Sequence, residues 1–158
     1  LVLSACVLSA NEPIYSDADT KLIFATPDVT LTAYSLKNGE WVAEDELMVL
    51  KADGNHYAAT IEKSLGQVAF VPLDASWYVV QTIEDKKPPL YTLVRDDKSE
   101  LHVFPVMCSD VKKLPMAGEH VEFVKDDCFL KPGVDHKPLF SALSANPGAD
   151  TLKLIPKI

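Results

Sequence analysis

Thr30-Leu31-Thr32-Ala33-Tyr34-Ser35-Leu36-Lys37-Asn38-Gly39-Glu40-Trp41-Val42-Ala43 sets two runs of strand-forming residues on either side of Asn-Gly. A type I′ turn needs positive φ at both central positions, which Asn and Gly tolerate. The stretch therefore predicts a hairpin of residues 30–36 against 40–43. Asp53-Gly54 separates residues 47–51 from 56–62 in the same way. Upstream, residues 21–26 and 29–35 form an expected pair broken at Pro27-Asp28. Downstream, Gly66 precedes 67–71, and Pro72-Leu73-Asp74 precedes 76–82. Residues 86–89 precede 90–95, and residues 96–99 turn into 100–106. Turn residues at intervals of about eight to twelve positions are the mark of an antiparallel sheet. Connections this short leave no room for parallel crossovers, so the sheet should be a meander.

Alternation assigns faces. Tyr57, Ala59 and Ile61 share one, Val68 and Phe70 share one, and Leu101 and Val103 oppose His102 and Phe104. Trp77-Tyr78-Val79-Val80 is apolar on both faces, which predicts a central strand with a second layer packed over it. The last third changes character. Ser109 as a cap with Asp110 behind it predicts a short helix. Residues 121–124 read as a strand. Asp135 is an expected cap for a helix through Pro138-Leu139-Phe140-Ser141-Ala142-Leu143, and 151–155 is a final strand. The expected fold is mainly β: an antiparallel meander, sandwich-like or partly barrelled, with one or two short C-terminal helices. The nearest alternative is α+β.

The 158 residues are 47% hydrophobic and 24% charged, as in an ordinary globular domain, and one core suffices at this length. No run approaches the roughly 20 apolar residues of a membrane-spanning helix. The net charge is −8, with eleven acids against four lysines in residues 1–79. That balance argues against nucleic acid as a partner, because phosphate binding needs a basic patch. The plain reading is a solvated acidic face; the sharper one is a docking surface for a basic partner. Arg95 is the only arginine, so bidentate clamps on phosphate or carboxylate are nearly absent.

The chain opens Leu1-Val2-Leu3-Ser4-Ala5-Cys6. Leu3-Ser4-Ala5-Cys6 resembles the lipobox of bacterial lipoproteins: Leu, two small residues, then the Cys whose thiol takes the lipid. The resemblance covers six residues and says nothing of the body. It implies that residues 1–5 are the remnant of a signal peptide and that Cys6 is the lipidated first residue of the mature protein. Residues 6–20 are then expected as a tether, and 21–158 as a single globular β-rich domain. It further implies a place in the bacterial cell envelope, anchored to the membrane through lipid on Cys6. Val7 after the Cys is the pattern that favours the outer membrane in enteric bacteria.

In an exported protein Cys108 and Cys128 are expected to form a disulfide. A metal reading draws on Cys108, His120, Cys128 and His136, but the tight spacings that preorganise zinc sites are missing. No metal or other cofactor is expected. Ser109-Asp110-Val111-Lys112 matches a serine–lysine nucleophile motif without its companion motifs. Asp96-Asp97 and Asp126-Asp127 are neighbours whose side chains diverge on a strand. No catalytic residues are expected. The expected role is a non-enzymatic, lipid-anchored envelope protein that binds or assembles with a partner, such as an envelope protein with a basic face. The alternative is a lipocalin-like carrier of a small apolar ligand, which needs a closed barrel with a dry cavity. A hydrolase would need a polar cluster in a cleft, which the sequence does not show.

Overall fold

The computed structural model describes residues 7–61, 63–74, 76–150 and 152–157. In chain order the strands are β1 Asp28–Lys37, β2 Glu40–Asp53, β3 His56–Ile61, β4 Ser64–Pro72, β5 Trp77–Glu84, β6 Leu90–Asp97 and β7 Glu100–Pro105. Helices α1 Cys108–Lys112 and α2 Ala117–His120 follow, then the hairpin β8 Val121–Val124 and β9 Asp127–Leu130. Helix α3 Lys137–Ala145 and strand β10 Leu152–Pro156 complete the chain. Strands β1 to β7 run as an antiparallel meander, and β10 closes it into an eight-stranded barrel by pairing with both β7 and β1. The mainly β expectation holds, and the sheet is fully closed. Closure leaves no barrel strand with an unpaired edge.

The two faces of the sheet feed two cores. Leu31, Leu50, Tyr57, Ala59, Val68, Phe70, Val80, Val94, Leu101 and Leu154 point inward and fill the barrel. Val79, Tyr91, Leu93 and Phe104 point outward and pack beneath a second layer built from α1, β9 and α3. Val79 and Val80 thus serve different cores from adjacent positions, as an apolar stretch on both faces requires. The Cys108–Cys128 disulfide, with Cα atoms 5.7 Å apart, ties α1 to β9 within the outer layer.

Residues 7–20 do not hang free as the expected tether would. Leu8 and Ala10 are fully buried. Leu8 N donates to Val106 O, Ser9 N donates to Cys128 O, and Leu130 N donates to Ser9 O. The segment therefore runs between β6 and β9 and seals the outer layer to the barrel wall. Residues 21–26 likewise form no strand; a single bridge joins Lys21 to Phe70. The segment instead turns across one end of the barrel. The Tyr57 hydroxyl accepts from Ile23 N and Phe24 N, at 3.0 and 3.2 Å, and Phe24 packs edge-on against Tyr57 and Phe70. The segment has no free strand to pair with there, because β3 and β4 are already paired on both sides.

Residues 40–43 and 47–51, expected as separate strands, are one strand. Its pairing with β1 shifts register between Thr32 and Tyr34, so that Glu44-Asp45-Glu46 bulge out of the ladder. Helix α1 starts at Cys108 with Met107 as its uncapped N-cap, one residue before the expected Ser109 region. In α3 the N-cap is His136, while Asp135 Oδ1 accepts from Lys137 N at 3.0 Å.

Asn38 and Gly39 have φ of 52° and 80°, the expected type I′ pattern. Asp53 pairs with His56, so the second turn is Gly54-Asn55, with positive φ at Gly54 (64°), as a type II′ turn requires. The two glycines predict different costs. A Cβ at Gly39 meets nothing within 4 Å, whereas one at Gly54 lies 2.6 Å from Asp17 Oδ2. Gly39→Val should therefore cost about 1–2 kcal/mol of backbone strain. Gly54→Val should cost more, because it also displaces Asp17 from Asn55 N. Urea midpoints of the two variants check the order.

Candidate functional site

The barrel interior is lined almost wholly by apolar side chains, and the strand period builds it. Inward positions of seven strands supply Leu31, Met48, Leu50, Val68, Phe70, Val80, Thr82, Thr92, Val94, Leu101, Val103, Leu152 and Leu154. They leave a cavity of about 120 Å³. Aliphatic and aromatic side chains form nearly all of this wall, so water has few polar partners inside. Phe24, Tyr57 and Phe70 pack together across one end, beside a groove of about 490 Å³ that shares Leu101 with the cavity. Towards the other end, Met48, Leu152 and Leu154 also line a groove of about 450 Å³ that opens beside Ala33 and the Glu44-Asp45-Glu46 bulge. Thr82 and Thr92 are the polar positions of the cavity wall, and both lie near this open end, close to the β5–β6 turn.

The N-terminal segment is clamped along the outer wall. Gln81 is 3% exposed; its Oε1 accepts from the Tyr91 hydroxyl (2.8 Å) and from Ile14 N and Tyr15 N (both 3.1 Å). Its Nε2 donates to Tyr15 O at 3.1 Å. Burial pushes the Tyr91 phenol up to about 12, so it stays a donor at neutral pH. Farther along, Asp17 Oδ1 lies 2.7 Å from His56 Nδ1, and Asp17 Oδ2 accepts from Asn55 N. These bonds hold the Asp17 carboxyl below the usual carboxylate range, with His56 the largest cause. Gln81→Leu leaves the Tyr91 hydroxyl and the Tyr15 N–H without their acceptor. Its cost should be about 3 kcal/mol, with faster amide exchange in residues 14–20 than in the barrel strands.

Cys6 lies outside the described residues; Val7, the first described residue, pairs with Met107. The four residues of the metal reading are consumed in pairs. Cys108 and Cys128 are bonded to each other. His120 and His136, 5% and 1% exposed, face each other with their Nδ1 atoms 3.0 Å apart. His136 Nε2 lies 2.7 Å from Lys131 O and must donate there, so His120 Nδ1 donates to the bare His136 Nδ1. Among the described residues no group of three His, Cys, Asp or Glu converges as a metal site. Asp96-Asp97 pairs with Leu101 and Glu100 in the β6–β7 hairpin, and Asp126-Asp127 lies at the β8–β9 turn; neither meets the other.

Burial pushes the His136 imidazole below its ordinary value, helped by His120; the Lys131 carbonyl and Asp135 act the other way. The unfolded chain therefore binds a proton that the folded chain refuses. Stability should rise with pH up to about 6.5 and fall as the solution is acidified below it. Denaturant midpoints between about pH 5.5 and 7.5 should show this slope, and His136→Gln should flatten it.

Sequence reading anticipated the disulfide and the inward faces but not Gln81, Tyr91 or the histidine pair. For Gln81 a signal existed: it is an amide directly after the apolar run from Trp77 to Val80. Among the described residues, no helix is long and apolar enough to cross a membrane. The chain matches no protein-family model, no curated protein and no solved structure.

Proposed function

We propose that this is a non-enzymatic binding protein whose barrel takes a small apolar ligand, held at the bacterial cell envelope by lipid on Cys6. The observation that carries the binding role is the apolar cavity inside a closed up-and-down barrel, an architecture shared with lipocalin-like carriers. Its volume suits an aromatic ring or a short alkyl segment, since engineered dry cavities of roughly 150 Å³ hold benzene. The lipobox-like Leu3-Ser4-Ala5-Cys6 and a disulfide of the kind found in oxidising compartments support the envelope location.

Two experiments test the two halves. Titration of 1-octanol by calorimetry should show one saturable site, and Val94→Phe should abolish it while the barrel stays folded. Val94 is 4% exposed and faces the cavity, so the larger ring occupies the ligand's space. Absence of saturable binding in the wild type ends the carrier role. For the anchor, the protein expressed in a bacterium should partition into the detergent phase, and Cys6→Ser should move it to the aqueous phase. A wild-type protein with an unmodified Cys6 ends that half.

A further inference from the structure

Arg95 is the only arginine in a chain with 23 acidic residues, yet among the described residues no carboxylate bridges it and no group accepts from its N–H donors. The register of the barrel sets it in a row. Trp77, Arg95, His102, Lys153 and Tyr34 lie opposite one another in turn across β5, β6, β7, β10 and β1, all on the outward face. In that row His102 meets Asp150, and Lys153 meets Glu100 at 3.7 Å. Arg95 meets rings instead. Its Cζ lies 5.6 Å from the Trp77 ring centre and 5.3 Å from that of Phe104, and the two rings are 5.2 Å apart. Stacking on ring faces holds a guanidinium in place and leaves its N–H edge free, which is the edge that fits a carboxylate with two parallel hydrogen bonds. The Phe104 ring has a second role. With Leu93, Val106 and Leu143 it lines a cleft of about 300 Å³ between α1 and the end of α3. Leu93 and Arg95 are two residues apart on β6, so Arg95 stands about 7 Å along the strand from the cleft floor, on the same face. At the α1 side of the cleft, Lys113 lies 4.0 Å from Asp110, so those two charges offset each other. Arg95 is left as the uncompensated charge beside the cleft.

We infer that this outer cleft is a second binding site, separate from the barrel cavity, for small apolar monocarboxylates. The apolar body lies on Leu93 and Phe104, and the carboxylate takes the N–H edge of Arg95. A monoanion suits the site better than a phosphate dianion, because one guanidinium offsets one charge and the chain as a whole carries −8.

The probes are 2-naphthoate, 2-naphthylmethanol and 2-naphthylmethylammonium, which share a ring system and differ in head-group charge. Engineered cavities of roughly 150 Å³ hold a single benzene, so the fused rings do not fit the barrel's cavity of about 120 Å³. The chain has two tryptophans, Trp41 and Trp77, whose indole N–H resonances are told apart with Trp41→Phe. Titration of the intact protein should move the Trp77 signal and leave Trp41 in place. Naphthoate should bind about tenfold tighter than the alcohol, and the ammonium weaker than either. In Arg95→Gln the naphthoate and alcohol constants should become equal. Ala142→Phe places a ring in the cleft from α3 and should weaken naphthoate and alcohol alike, which tests the cleft without touching Arg95. A circular dichroism melt confirms that each variant folds. Equal binding of naphthoate and alcohol by the wild type overturns the proposal, as does no binding of either. A naphthoate advantage that survives Arg95→Gln, binding unchanged in Ala142→Phe, or a shift confined to Trp41 also overturns it. Each of these outcomes leaves the barrel reading standing, since that reading is tested by octanol and Val94→Phe.

Discussion

Phe140→Ala should lower stability by about 3–5 kcal/mol, the largest effect expected of any single substitution discussed for this protein. Phe140 is completely buried in α3 and packs with Leu139 and Leu143 against the outward face of the barrel. Truncation removes the ring's transfer free energy and leaves a void that the neighbours fill only in part. At this chain length each kcal/mol shifts the thermal midpoint by roughly 2–4 °C, so the fall should be on the order of 10 °C. The variant also reports on cooperativity. Residues 7–10 hydrogen-bond to both the barrel and β9, so the outer layer and the barrel should melt together. Coincident loss of tryptophan fluorescence and far-ultraviolet circular dichroism checks this; two separate transitions would show a layer only loosely attached.

Removing the disulfide should cost about 3 kcal/mol. Cys108 and Cys128 are 20 residues apart, and closing a loop of that size restricts the unfolded chain by about this amount. The bond sits where loss matters. Helices α1 and α2 are short, and the crosslink acts there together with the buried Val111 and Ala117 and the His120–His136 hydrogen bond. Cys108→Ser/Cys128→Ser should match the reduced wild type in its denaturant midpoint. An unchanged midpoint in reductant would show that packing alone holds the segment.

Local chemistry was readable where one or two residues decide it. Asn38-Gly39 announces its turn because positive φ is a property of those residues. Val79 beside Val80 announces two apolar faces because a strand's period is two. What was not readable depends on distant partners. Strand β10 pairs Leu154 with Ala33, so barrel closure rests on a contact across nearly the whole chain. Leu22-Ile23-Phe24 reads as a strand by composition. Whether it pairs or plugs is set by the Tyr57 hydroxyl and the Phe70 ring, which belong to other elements. Val7 to Ala10 reads as a tether until Val106, Cys128 and Pro89 supply its hydrogen-bond partners. Glu44-Asp45-Glu46 reads as a gap between two strands, because three consecutive acids break the alternation; in the fold they form a bulge at the mouth of the cavity. Of the candidate site, the inward residues were legible as faces. The cavity itself was not, because its volume depends on how eight strands pack around a common axis.

Diffraction from a crystal held under xenon pressure tests the central claim, a dry binding space inside the barrel, most directly. Xenon enters apolar cavities and has no hydrogen bond to offer. The account predicts a xenon peak bounded by Phe70, Val80, Val94 and Leu101, and its loss in Val94→Phe. A barrel interior with no xenon peak, filled instead by repacked side chains or ordered water, would contradict it.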